Sequence, residues 1–335
     1  MSFKANEPFI LAPAGKDYLW GGSRLADDFA KNIDMSPLAE TWECSTHPEG
    51  ESIAASGAFC GQKLSEIVYS HPEYLGTHAS ELVANLDRGQ IPILVKLIDA
   101  KQDLSVQVHP GDEYARANEN GSLGKTEMWY VLDAGKDAHL LYGFNRDITK
   151  AELENSLKDG SATKYMNLVP ISEGDVFFVP AGQVHAICQG ALVAEVQENS
   201  DITYRLYDYD RVDKDSNKRP LHVEKALEVA DLSSSAIPRQ PMVVRNFHKG
   251  YATQLLCRCK YFETYRFLLD TQHRVLAKYA TGSSSFEILL CTSGCGTVSY
   301  GDTQFNFYKG DCIFVPADSV EMELHGRAEL LQVRC

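Results

Sequence analysis

Along most of the chain, apolar and polar positions alternate in short runs, the spacing of strands with one buried face. In residues 104–111, Val106 and Val108 alternate with Gln107 and His109. Successive strand side chains point to opposite faces, so Gln107 and His109 share one face and the valines the other. Pro110 and Gly111 then supply turn chemistry. Residues 91–98 form an apolar strand broken only by Lys96. A lysine there either emerges at the strand end or faces a polar cavity, because burying it unpaired is costly. Residues 39–45, 124–132, 140–143, 174–180 and 190–197 continue the strand pattern. In the last of these, Ala191, Val193, Glu195 and Gln197 share one face, and Leu192, Ala194 and Val196 the other.

Helical spacing is confined to short segments. Residues 63–68, 80–86 and 222–229 predict helices, and 113–120 a polar loop or short helix. Thr149 followed by Glu152 predicts a capped helix start before residue 157. Residues 213–219 read as a charged loop.

The strand pattern occurs twice. Gly310-Asp-Cys-Ile-Phe-Val-Pro316 aligns without a gap on Gly174-Asp-Val-Phe-Phe-Val-Pro180, and Phe286-Glu287 aligns on Thr126-Glu127. Many short strands with Gly/Pro turns predict a jelly roll, here present in two copies. The run Gly174-x5-Pro180-x-Gly182-x2-His185 resembles the second metal motif of cupins, so the expected fold is mainly β: two cupin-type jelly-roll units with short helical insertions. Residues 1–240 would form the first and 241–335 the second. Glu321 stands in the second copy where His185 stands in the first, and no Gln-x-His precedes Glu287. A metal site is expected in the first roll alone.

Composition narrows the function classes. The net charge is −14, and no basic run is present to neutralise phosphates, so a nucleic-acid partner is not expected. An anionic ligand would need a local basic cluster. No apolar run approaches the ~20 residues of a membrane span. The nine cysteines are scattered without a Cys-x-x-Cys, and residues 1–22 carry no secretory pattern. A cytoplasmic protein with free thiols is the expectation.

The candidate chemistry lies on three strands of the first roll. His109, Glu127 and His185 can converge on one metal ion, with Gln107 beside them. Imidazole and carboxylate suit zinc, and also iron, manganese and nickel.

The motifs Ser105-Val-Gln-Val-His-Pro, Gly124-Lys-Thr-Glu-Met-Trp, Val179-Pro-Ala-Gly-Gln-Val-His-Ala and Glu195-Val-Gln-Glu-Asn-Ser-Asp-Ile-Thr-Tyr-Arg205, in that order, resemble the short bacterial type I phosphomannose isomerases. Ala39-Glu-Thr-Trp-Glu-Cys-Ser supports the match. The chain departs from the usual cupin pattern in its long stretch between Glu127 and His185 and in Gln189, where asparagine is usual. The resemblance implies one zinc ion per chain, held by Gln107, His109, Glu127 and His185. It implies a catalytic arginine at Arg205, with Lys125, Glu195 and Asp201 in the pocket. It also places Ser105 and Arg211 near a substrate phosphate, and Lys96 is basic enough to join them.

The implied reaction interconverts mannose 6-phosphate and fructose 6-phosphate through an enediolate. Lys125 and Glu195 are both able to act as base, and the sequence leaves that choice and the oligomeric state open. Two other readings are a non-haem iron cupin dioxygenase and a sugar-phosphate-binding cupin without turnover. The basic residues favour a phosphorylated substrate.

Overall fold

The computed structural model describes residues 6–212, 216–272 and 275–335; the first three residues of the 213–219 loop lie outside them. The strands in chain order are β1 (Phe9–Ala12), β2 (Ala14–Lys16), β3 (Glu40–Cys44), β4 (Ile53–Ala54), β5 (Ile93–Asp99), β6 (Val106–Val108) and β7 (Glu127–Ala134). They continue as β8 (His139–Phe144), β9 (Met166–Pro170), β10 (Val176–Val179), β11 (His185–Ile187), β12 (Ala191–Glu198) and β13 (Tyr204–Tyr207). The last third holds β14 (Arg245–His248), β15 (Tyr251–Arg258), β16 (Glu263–Asp270), β17 (Ala277–Tyr279), β18 (Glu287–Tyr300), β19 (Thr303–Tyr308), β20 (Cys312–Val315) and β21 (Met322–Arg334). Six short α-helices are described: α1 (Arg24–Asp27), α2 (Leu64–Ser70), α3 (Thr77–Leu82), α4 (Asp112–Asn118), α5 (Lys150–Lys158) and α6 (Val223–Val229). The fold is mainly β.

Two sheets form the first roll. One runs β10-β7-β12-β5-β3-β2, the other β13-β6-β11-β8-β9. Apolar residues of both, among them Trp129, Val193, Leu140 and Ile187, pack between them. The predicted alternation in β12 puts Val193 in this interior, while Leu192, Ala194 and Val196 face the opposite way, into a second core. That second core is shared with Phe286, Ile288, Phe314 and Val333 of the C-terminal sheet. β5 and β12 are therefore buried on both faces.

The C-terminal sheet runs β14-β15-β16-β21-β18-β20-β1-β4, with β17 on β21 and β19 on β18, and closes around its own core. The repeat read from the sequence is visible in the register. Val179 pairs with Glu127 in the first roll as Val315 pairs with Glu287 in the second. The chain's first strand, β1, pairs with β20 near its end, so the N-terminal segment is built into the second roll's sheet.

Thr149 and Glu152 form the predicted reciprocal cap at α5. The segment expected as a helix over 80–86 behaves differently: α3 spans Thr77–Leu82. The Thr77 and His78 amides donate to the carbonyls of Ser283 and Ser284. The helix start is thus fixed by a distant stretch of chain, and the local spacing of Leu82, Val83 and Leu86 does not set it.

Candidate metal centre and active site

The site lies between two rows of side chains, one on each sheet of the first roll. On the five-stranded sheet, backbone pairing aligns Arg205 with Gln107, Gln107 with His185, and His185 with Tyr142. On the six-stranded sheet, Trp129 pairs with Glu195, Glu195 with Lys96, and Lys96 with Trp42. Glu127, two residues before Trp129, shares its face.

His109, Glu127 and His185 are buried, and their candidate ligand atoms all lie within 4.8 Å of one another. The second nitrogen of each imidazole is committed elsewhere. His109 Nδ1 lies 2.7 Å from the Ile202 carbonyl, and His185 Nδ1 lies 2.8 Å from the Gln183 carbonyl. A carbonyl only accepts, so each Nδ1 carries the hydrogen and each Nε2 keeps its lone pair. Those Nε2 atoms sit 3.3 Å and 3.6 Å from the Glu127 carboxylate oxygens. Neighbouring ligands about 2.0–2.1 Å from a tetrahedral ion have separations of this size. Burial and the nearby Lys125 hold His109 down at about 3; burial also lowers His185. Both rings are neutral at working pH. Burial opposes ionisation of Glu127, but the adjacent Lys125 ammonium outweighs it and places the carboxyl well below its usual range. Glu127 Oε1 is ion-paired with the Lys125 ammonium at 2.5 Å, and Oε2 has no hydrogen-bond partner among the described residues. Two neutral imidazoles and a carboxylate with one oxygen unpaired among the described residues form a donor set that fits a divalent metal.

Gln107 adjoins this group, its Nε2 3.4 Å from His185 Nε2, and its Oε1 accepts from the Ser105 hydroxyl. The Arg205 Nε in turn donates to Ser105 Oγ at 3.3 Å. One polar chain therefore joins Arg205 to the imidazole pair.

A cavity of ≈ 260 Å³ opens above these residues. Ser105, Gln107, Lys125, Glu195, Asp201 and Arg205 line it, as does Lys96. Lys96 takes the second of its two predicted positions: mid-strand, buried, and facing the cavity. Its Nζ is 3.4 Å from Glu195 Oε1, 3.7 Å from Glu40 Oε2, and 4.9 Å from the centre of the Trp42 ring. Burial opposes its charge, yet Glu40, Glu195 and Glu127 raise its pKa. Burial, reinforced by Glu127, raises Glu195, whose Oε2 accepts from the Trp129 indole at 2.8 Å. Asp201 is half-exposed and contacts His47 Nε2 at 3.4 Å. Arg211 is not among the cavity-lining residues; its guanidinium meets Asp208 and the Asp103 carbonyl.

The chain matches the profile described as "Phosphomannose isomerase type I, catalytic domain" over residues 9–134. A second profile, "Mannose-6-phosphate isomerase, cupin domain", matches residues 252–335. Mannose-6-phosphate isomerase ManA of Bacillus subtilis is 38% identical over 325 residues, covering 97% of this chain and 98% of that protein. The chain belongs to the type I phosphomannose isomerases. The mannose-6-phosphate isomerase of Streptococcus mutans is another relative, 31% identical over 97% of both chains. The crystal structure of a Bacillus subtilis mannose 6-phosphate isomerase superposes with a TM-score of 0.86 at 34% identity, covering 98% of this chain and 99% of that one. A phosphomannose isomerase of Salmonella typhimurium shares the fold at 17% identity and a TM-score of 0.73.

Within this family member, sequence reasoning missed Glu40, Trp42, Tyr18 and Arg219 as cavity residues. Glu40 and Trp42 had a usable signal. They alternate with Thr41, so they share a strand face, and the Trp42 indole donates to Glu40 Oε2 at 2.8 Å. Arg219 sits in the charged loop, where no periodicity singles it out.

Proposed function

We propose that the chain interconverts mannose 6-phosphate and fructose 6-phosphate in the cytoplasm, using one zinc ion held by His109, Glu127 and His185 with Gln107 alongside. The observation that carries this reading is the pair of neutral imidazoles turned on the buried Glu127 carboxylate, beside a cavity lined by the guanidinium groups of Arg205 and Arg219. The ion supplies Lewis acidity that offsets the negative charge developing on the substrate oxygens.

The protein's own residues do the rest. An aldose becomes a ketose when a proton leaves the carbon next to the carbonyl and returns one carbon away. Glu195 is the group we assign to that transfer: its carboxylate lines the cavity, and burial makes it a stronger base than a solvated one. The Trp129 indole and Lys96 fix its orientation. Lys125 presents an ammonium at the metal end, available to donate to a substrate oxygen. Arg205 stays protonated throughout and adds fixed positive charge where the enediolate forms.

The donor set also suits iron. Lys96, Arg205 and Arg219 on the cavity walls favour a phosphorylated sugar over an aromatic dioxygenase substrate. A coupled assay for fructose 6-phosphate from mannose 6-phosphate, with free mannose run beside it, tests the reading. Turnover of the phosphorylated sugar alone supports it; equal kcat/KM for both sugars contradicts it.

A further inference from the structure

A second cavity, of ≈ 560 Å³, lies against strand β1 and shares no lining residue with the one above the metal ligands. Phe9 of β1, Phe59, His71 and Tyr74 supply its aromatic wall. Phe59 stands edge-on to the other three, with ring centroids 5.9 Å from Phe9, 5.2 Å from His71 and 6.1 Å from Tyr74. His71 and Tyr74 stack at 4.9 Å. Two carboxylates, Glu7 and Glu73, join the rings, and no lysine or arginine is among the described residues that line the cavity.

Tyr74 is the residue that calls for a ligand. It is 4% exposed. Its backbone bonds to His71 and Ala317 and its ring packs on His71 and Phe59, yet its hydroxyl has no hydrogen-bond partner among the described residues. A buried hydroxyl without a partner is costly, so a polar group in the cavity is favoured. Burial, reinforced by Glu73 and Glu7, raises the Tyr74 pKa; the hydroxyl therefore stays neutral, and both carboxylates act on it. The turn that carries it, Pro72–Leu75, is fixed to the second roll. The Ala317 amide donates to the Tyr74 carbonyl and the Phe286 amide to the Leu75 carbonyl, both at 2.9 Å. The wall is built before any ligand arrives.

Charge and chemistry select the ligand class. An ammonium group donates to a hydroxyl and to carboxylates, and it is drawn to aromatic faces. An anion would meet two like charges. The rings favour an apolar tail, and the volume is that of a small-molecule site. We propose that this cavity binds an arylalkylamine, its ammonium held by Glu7, Glu73 and the Tyr74 hydroxyl and its ring packed among Phe9, Phe59 and His71. The site is independent of the isomerase reading above.

The test uses the zinc-loaded full chain and two probes of similar shape, phenethylamine and phenethyl alcohol, followed by calorimetry and ligand-detected NMR. The amine is expected to bind saturably, and the alcohol about tenfold more weakly, the difference that a charge-assisted contact supplies. A Glu7→Gln, Glu73→Gln double variant should weaken the amine about tenfold and leave the alcohol nearly unchanged. Tyr74→Phe keeps the ring and should weaken the amine about threefold, the loss of one neutral hydrogen bond. The melting temperature of each variant checks that it is folded. Phenethylamine should leave KM for mannose 6-phosphate unchanged. Absence of saturable amine binding overturns the proposal, as does an alcohol that binds as tightly as the amine. Amine affinity within twofold of wild type in the double variant also overturns it, and so does competitive inhibition by the amine, which would place it in the catalytic cavity.

Discussion

The Nδ1 of His109 donates to the carbonyl of Ile202, three residues before Arg205. The segment that delivers the arginine to the cavity therefore also fixes which His109 nitrogen faces Glu127. The link runs through a backbone carbonyl, so changing the Arg205 side chain leaves it in place. Arg205→Ala should lower kcat by about 10²–10³, the usual loss for one charge-stabilising donor. Metal content and Tm should stay near wild type. Arg205→Lys should recover only part of the rate, since an ammonium lacks the planar fork. Steady-state kinetics on metal-loaded variants checks this; a defect confined to KM would reassign Arg205 to ground-state binding.

One metal ion per chain is expected. In the second roll, the carboxylate aligned with Glu127 is that of Glu287, and it is consumed by protein donors: the Tyr279 hydroxyl and Gln332 Nε2, the latter at 2.6 Å. Glu321, aligned with His185, lies exposed in an ion pair with Lys278. Elemental analysis should give one equivalent, lost in a His109→Ala, His185→Ala double variant. Two tightly held equivalents, or retention in the double variant, would contradict the assignment.

How much of this was legible in the sequence depends on the range of the interaction. Period-2 alternation placed Gln107 and His109 on one face, and the Gly/Pro-bounded run ending at His185 marked its strand, because both signals are local. The repeat was legible because the two copies keep the same register at Glu127 and Glu287. Lys96 was readable only as two alternatives, since its partners Glu40 and Glu195 lie on other strands. The pairing of β1 with β20 and the start of α3 depend on contacts more than 200 residues apart in sequence, and no local pattern carries those.

Lys96 also offers a stability test. It is buried against two carboxylates, and removing one partner of a buried pair costs about 3–5 kcal/mol. Lys96→Met should lower the denaturation midpoint accordingly and abolish turnover. Adding Glu195→Gln should restore part of the stability and none of the activity. Urea titrations with an unchanged m-value would show that the comparison is between like states. Full stability in Lys96→Met would mean the pair is not coupled.

A pH effect is expected from Glu198. Burial, reinforced by Asp112, raises its carboxyl to about 8, against roughly 4.3 in an unfolded chain. Between those values the folded state holds a proton that the unfolded state lacks. Its contribution to stability is thus complete below about pH 4 and is lost as pH rises through 8. Glu198→Gln keeps a neutral side chain at every pH, so it should flatten the fall in Tm between pH 5 and 8. A wild-type profile matching that of the variant would remove Glu198 as the cause.

The most direct test of the account is the rate of fructose 6-phosphate formation from mannose 6-phosphate by chelator-stripped protein as zinc is added back. Activity should start near zero, rise in proportion to zinc, and level off at one equivalent per chain. Turnover that is undiminished in the stripped protein, or that needs a second equivalent, would contradict a single catalytic metal held by His109, Glu127 and His185.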